Sequence, residues 1–130
     1  MSFTEVFAWG SDEEGQLGLG DNRSRRYYQF PRFCSFNAII SEVSCGKDHS
    51  AMIASNGFLY TMGSNAFGKL GIGVTARGCV APSLVDSLSS TRTKHVSCGF
   101  NHTVCCSENG ELFSWGDNSS GQLGVGEGIY

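Results

Sequence analysis

Two histidines stand where they could do chemistry with a thiol. His49 follows Cys45 by four residues, His102 follows Cys98 by four, and the two pairs are 53 residues apart. Four such side chains are the right types for a tetrahedral zinc site. Glycine strings ending at Gly20, Gly73 and Gly126 invite a phosphate-binding reading, and Cys105 or Cys106 near a histidine and Glu108 invites a nucleophilic one. Spacing weakens all three. The glycine order is Gly-x-x-Gly-x-Gly, it occurs three times, and no helical pattern follows to aim an N-terminus at a phosphate. Equivalent Cys/His pairs of a repeat are related by rotation and need not converge on one ion. Adjacent strand cysteines point to opposite faces. The expectation is therefore turns at the glycines, histidines hydrogen-bonded between strands, and no catalytic residue, metal or cofactor.

One stretch stands out from this background. Arg23, Arg25, Arg26 and Arg32 hold four of the nine basic residues within ten positions, interleaved with Tyr27 and Tyr28. A basic loop with aromatics can contact phosphate or an acidic protein surface, so Arg23, Arg25, Arg26, Tyr27 and Tyr28 form the candidate partner-binding set. A solvated loop balancing Asp12, Glu13, Glu14 and Asp21 is the simpler reading and the favoured one. Residues 76–81 of the second unit carry only Arg77, so any function of this loop belongs to one unit.

The elements that position these residues repeat with the same 53-residue period. Val6-Phe7-Ala8-Trp9-Gly10, Leu59-Tyr60-Thr61-Met62-Gly63 and Leu112-Phe113-Ser114-Trp115-Gly116 are each short aromatic and β-branched runs stopped by glycine, expected as buried strands. Val43-Ser44-Cys45-Gly46 and Val96-Ser97-Cys98-Gly99 open a second set. Asn56-Gly57 and Asn109-Gly110 join strands as hairpins, expected as type I′ turns. Pro31 and Pro82 suit the start of edge strands. No run of ten or more residues has a 3.6 period. The net charge of −3 does not draw the chain to nucleic acid or to an anionic membrane. No run approaches a membrane span, the N-terminus lacks a signal pattern, and the cysteines are expected as free thiols in an intracellular protein of cytoplasm or nucleus.

About four short strands per unit, at a fixed repeat, describe blades of a β-propeller. The fold class is all-β: an incomplete propeller of two to three four-stranded antiparallel blades, one partial domain over 1–130 with a fragment at 1–20 and repeats at 21–73 and 74–126.

The strings Gly15-Gln16-Leu17-Gly18-Leu19-Gly20, Gly121-Gln122-Leu123-Gly124-Val125-Gly126, Cys45-Gly46-Lys47-Asp48-His49-Ser50 and Cys98-Gly99-Phe100-Asn101-His102-Thr103 resemble the repeats of the regulator of chromosome condensation family. Met62 stands where that family has Trp, and Lys69 where it has Gln. The resemblance implies a propeller of about seven blades, of which this chain holds fewer than three. It implies a non-catalytic module that binds a protein partner, with guanine-nucleotide exchange on a small GTPase as the alternative. The family's exchange reaction uses an inserted hairpin wedge, and 53-residue periods leave no room for one. Exposed blade edges are expected to be covered by missing blades, by self-association or by an added strand.

Overall fold

A computed structural model describes residues 4–20, 27–34, 36, 38–73 and 77–124. Among the described residues nine strands form three antiparallel sheets. The first pairs β1 (Val6–Ser11) with β2 (Tyr27–Cys34). The central sheet runs β3 (Ile40–Cys45), β4 (His49–Ala54), β5 (Leu59–Ser64) and β6 (Gly78–Leu84) in that order, and the last joins β7 (Thr93–Cys98), β8 (His102–Ser107) and β9 (Leu112–Gly116). One sheet is thus a whole four-stranded blade, and the described residues supply two and three strands of its neighbours. Helical structure among the described residues is limited to 3-10 turns at Ala66–Gly68 and Asp86–Leu88. The core lies between the central and last sheets, where Ala51, Ile53, Leu59, Val85 and Leu88 meet Val96 and Cys105, with Phe113 and Trp115 at its margin.

Three expectations change in detail. The β4–β5 turn closes with Gly57 N–H donating to Ala54 O at 2.8 Å and Ala54 N–H to Phe58 O at 3.0 Å, a three-residue loop in which only Gly57 has positive φ, +89°. This is a type I turn with a glycine bulge, not a type I′ turn. Asn56 keeps negative φ because its Oδ1 accepts the Phe58 N–H at 3.1 Å. Pro31 and Pro82 fall inside β2 and β6, not at their starts. Both lie where the register with β1 or β5 is interrupted, so no ladder donor is missed. β5 is buried, but its repeat mate β1 leaves Phe7 and Trp9 50% and 57% exposed. The edge of β1 that would receive inner strands has no partner among the described residues. It borders a groove of about 240 Å³ with Val43, Met52 and Met62 on its far wall.

The two glycine hairpins give a controlled comparison. Gly57 and Gly110 have φ of +89° and +87°, but a Cβ on Gly57 would lie 2.9 Å from Arg92 Cα of the next sheet while one on Gly110 meets nothing within 4 Å. Gly110→Ala is expected to cost about 1 kcal/mol from φ alone, and Gly57→Ala about twice that, because the turn must also back away from its neighbour. Urea midpoints of the two variants measure the difference; equal shifts would refute the contact.

Candidate functional site

The chemistry-bearing residues of the two Cys/His strings meet at the junction between the central and last sheets. Successive residues of a strand face opposite ways, so His49 of β4 turns toward the last sheet and Thr103 of β8 turns back toward the central one. His49 Nε2 lies 3.0 Å from Thr103 Oγ1. The Thr103 hydroxyl donates to Lys69 O at 2.7 Å, and Trp115 Nε1–H donates to the same carbonyl at 2.8 Å. With its one proton spent on a carbonyl, Thr103 can only accept from the imidazole. His49 is therefore the Nε2–H tautomer, and its buried Nδ1 has no partner among the described residues.

Gly46 is where the ring fits, since a Cβ there would overlap His49 Cε1 and approach Gly99 O to 2.5 Å. Toward the inner strands, Glu42 Oε2 accepts the Val96 N–H at 2.7 Å, its Oε1 lies 2.9 Å from His95 Nδ1, and Ser44 Oγ accepts the Cys98 N–H at 2.9 Å. The Val96 N–H, then the His95 hydrogen bond, hold the Glu42 carboxyl below its usual range. At the hairpin end Arg92 donates to Asn56 O at 2.7 Å and pairs with Glu108 at 3.1 Å.

Sequence reasoning missed the residue at the centre of this junction. Lys69 is completely buried, and its Nζ bonds both Asp48 of the β3–β4 turn and, at 2.7 Å, Asn101 Oδ1 of the β7–β8 turn. In the flanking copies Gln16 and Gln122 instead cap their own loops, accepting the Glu14 N–H at 2.9 Å and the Ser120 N–H at 2.8 Å.

The glycine strings are turns whose donors are occupied. Leu17, Leu70 and Leu123 N–H donate to Oδ1 of Asp12, Asn65 and Asn118, each five residues earlier. The middle copy carries one irregularity. Residues 65–68 close with Gly68 N–H donating to Asn65 O at 2.9 Å, and Phe67 has φ +63° and ψ +9°, the left-handed region that normally takes glycine. This non-glycine residue in the left-handed region costs about 1–2 kcal/mol. Its ring is 61% exposed.

Burial pushes the Cys98 thiol up to about 12 and that of Cys105 to about 11, and raises that of Cys34, so none of these three is a thiolate near neutral pH. Among the described residues no three His, Cys, Asp or Glu side chains are grouped to hold a metal ion. Of the candidate partner set, Arg23, Arg25 and Arg26 lie outside the described residues. Tyr27 is exposed, while Tyr28 is buried with the Arg32 guanidinium 4.7 Å from its ring centre.

Comparison with known protein families matches the regulator of chromosome condensation (RCC1) repeat at residues 5–53 and 56–106, and a second form of the same repeat at 40–69 and 94–122. The chain belongs to the RCC1 repeat family. It is 35% identical to the ultraviolet-B receptor UVR8 of Arabidopsis thaliana over 127 residues, covering 94% of this chain and 28% of the receptor. It is 37% identical to the secretion-regulating guanine nucleotide exchange factor of Bos taurus, covering 95% of this chain and 26% of that one. Yeast RCC1 (Prp20) bound to Kap60 superposes with a TM-score of 0.86 at 24% identity, over 95% of this chain and 30% of Prp20. The chain thus spans less than a third of these relatives, and the propeller fold is what the structural likeness shows.

The His49–Thr103 link joins the histidine of one string to the hydroxyl that follows the histidine of the next, and so ties one blade to its neighbour. It also sets a pH dependence. Burial, then the Lys69 charge, push His49 down to about 4 from 6.5. The unfolded chain takes up a proton near pH 6.5 and the folded chain only near 4, so the stability this neutral imidazole contributes is complete above pH 6.5 and is lost as pH falls toward 4. Melting temperatures across that window should fall more steeply for the wild type than for His49→Gln, whose amide can still donate to Thr103; parallel slopes would contradict the assignment.

Proposed function

We infer that the chain is a non-catalytic protein-interaction module, part of a larger RCC1-type propeller, that binds its partner with loops at one end of its blades. One observation supports this most: Glu42, Ser44, His49 and Lys69 spend their hydrogen bonds on the next blade, while residues 21–42 and 74–95, which follow the glycine strings, are where the repeats are least alike in sequence. The free edge of β1 and its apolar groove fit a place within a larger ring.

Guanine-nucleotide exchange is the second reading, favoured by the relative named as an exchange factor. The two are separated by adding the chain, at catalytic concentration, to a small GTPase loaded with fluorescent nucleotide. No acceleration of release is expected, and acceleration would overturn the module reading. If the basic loop contributes to partner binding, changing Arg23, Arg25 and Arg26 together to Ser should weaken it at low salt and flatten its salt dependence, since exposed charges are screened beyond about 10 Å at 0.1 M salt. Unchanged affinity and salt response would leave that loop a solvated spacer.

A further inference from the structure

Three exposed side chains lie beside the members of the Lys69 triad along the chain, and none of them is part of the core. Phe67 is two residues from Lys69, Phe100 adjoins Asn101, and Lys47 adjoins Asp48. Because Lys69 Nζ bonds both Asp48 and Asn101, the three neighbours share one end of the junction. Phe67 and Phe100 are 61% and 65% exposed, and Lys47 is exposed too, with Nζ 4.7 Å from the Phe100 ring centre. Lys47 and Phe100 occupy the same position of successive repeats, so this stacked pair spans two blades.

Phe67 is the only described non-glycine residue at positive φ; around its repeat mates Glu14 and Ser120 the equivalent hydrogen bond, Gly15 N–H to Asp12 O and Gly121 N–H to Asn118 O, closes with those residues at negative φ. The backbone is thus held in a glycine conformation to present an aromatic ring to water. Strain of this kind persists where a surface has a use for it.

We propose that Phe67, Phe100 and Lys47 form a docking surface for a protein segment that carries an apolar side chain flanked by carboxylates. The inference rests on the interaction-module reading and adds the surface and the class of partner. The apolar residue seats against the two rings, which are rigid and lose little entropy on contact. The carboxylate answers Lys47, which has no ionic partner among the described residues. The acidic groups at this junction are engaged elsewhere: Asp48 by Lys69, and Asp117, held below its usual range, by the Ser119 N–H at 2.9 Å. Two aromatics and a lysine could also stack on bases. With Lys47 as the one exposed cation among the described residues of this surface, a single carboxylate is answered where a run of phosphates would not be, which favours protein over nucleic acid.

The test selects phage-displayed random peptides on the immobilised full chain, then measures the enriched peptides by titration, with a short single-stranded oligonucleotide alongside. The expected peptides carry an aliphatic or aromatic residue beside Asp or Glu. Phe67→Gly and Phe100→Ser should each weaken them about tenfold or more. Phe67→Gly is the sharper variant, because it relieves the backbone and should melt at or above the wild-type temperature while losing the ligand. Peptides that bind Phe67→Gly as tightly as wild type, or an oligonucleotide bound in preference to any peptide, overturn the surface. Peptides lost on changing Arg23, Arg25 and Arg26 but kept by Phe67→Gly overturn it too while leaving the module reading intact. No enrichment on wild type over Phe67→Gly also refutes the surface, and the exchange assay then judges the module reading separately.

Discussion

Asp48→Ala is expected to cost about 3–5 kcal/mol, a large share of the roughly 5–15 kcal/mol that holds an ordinary domain together. The variant leaves the Lys69 ammonium fully buried with the neutral Asn101 amide as its remaining partner. Coulomb attraction no longer offsets the desolvation of that charge. Lys69→Met should be milder, because the Asp48 side chain is 24% exposed and can recover water once its partner is gone. Lys69→Gln should be milder still. Glutamine is what the flanking copies use, and its Oε1 can cap the loop from within as Gln16 and Gln122 do. Urea denaturation of the three variants should give that order. Asp48→Ala within about 1 kcal/mol of wild type would mean that Lys69 finds water, and the buried junction described above would be wrong.

Gly46→Ala should cost about 3 kcal/mol or more, the upper end for one added methyl group. The new carbon would collide with the His49 ring on one side and with the Gly99 carbonyl, 2.5 Å away, on the other. Neither can yield cheaply: the ring is buried and hydrogen-bonded to Thr103, and the carbonyl belongs to the backbone of the next blade. Turning the imidazole aside also breaks the His49–Thr103 link, so the damage spreads to the loop at Lys69 O. A thermal melt and its pH slope read this together. Gly46→Ala should melt far lower and should lose part of the steepening between pH 6.5 and 4. A variant that melts within a degree or two of wild type would show that the blades are not in such close contact.

Much of the fold was legible because its signals are local. A strand of aromatic and β-branched residues, a glycine that ends it, and an Asn-Gly pair between two runs each act within a few residues. The 53-residue period did the rest. The turn type at Gly57 was missed because the Asn56 side chain competes for the backbone. The exposure of β1 was missed because its composition matches that of β5; what differs is the strand beside it, which a strand's own residues do not encode.

The junction was harder. Lys69 meets partners 21 and 32 residues away, and nothing near it in sequence distinguishes a buried lysine from a solvated one. A signal was available all the same. Among the copies, the glycine string with a cation (Lys69) belongs to the same unit as the Cys/His string with an acid (Asp48), and exchanged charges at two repeat positions suggest contact. The backbone of Phe67 offered no comparable sign, since the equivalent Glu14 and Ser120 sit in turns of another type.

The link from His49 to Thr103 gives the array a head and a tail. At the junction the central blade offers the His49 imidazole and the last sheet answers with the Thr103 hydroxyl, so the two faces that meet are complements and not copies. Two chains related by a two-fold axis would set imidazole against imidazole or hydroxyl against hydroxyl, and neither pairing continues the chain of bonds. Growth that preserves this link can proceed only by turning in one sense, each new blade taking up the imidazole of the last. Such growth bends toward a ring and away from the symmetric dimer that is the commonest fate of an exposed protein face.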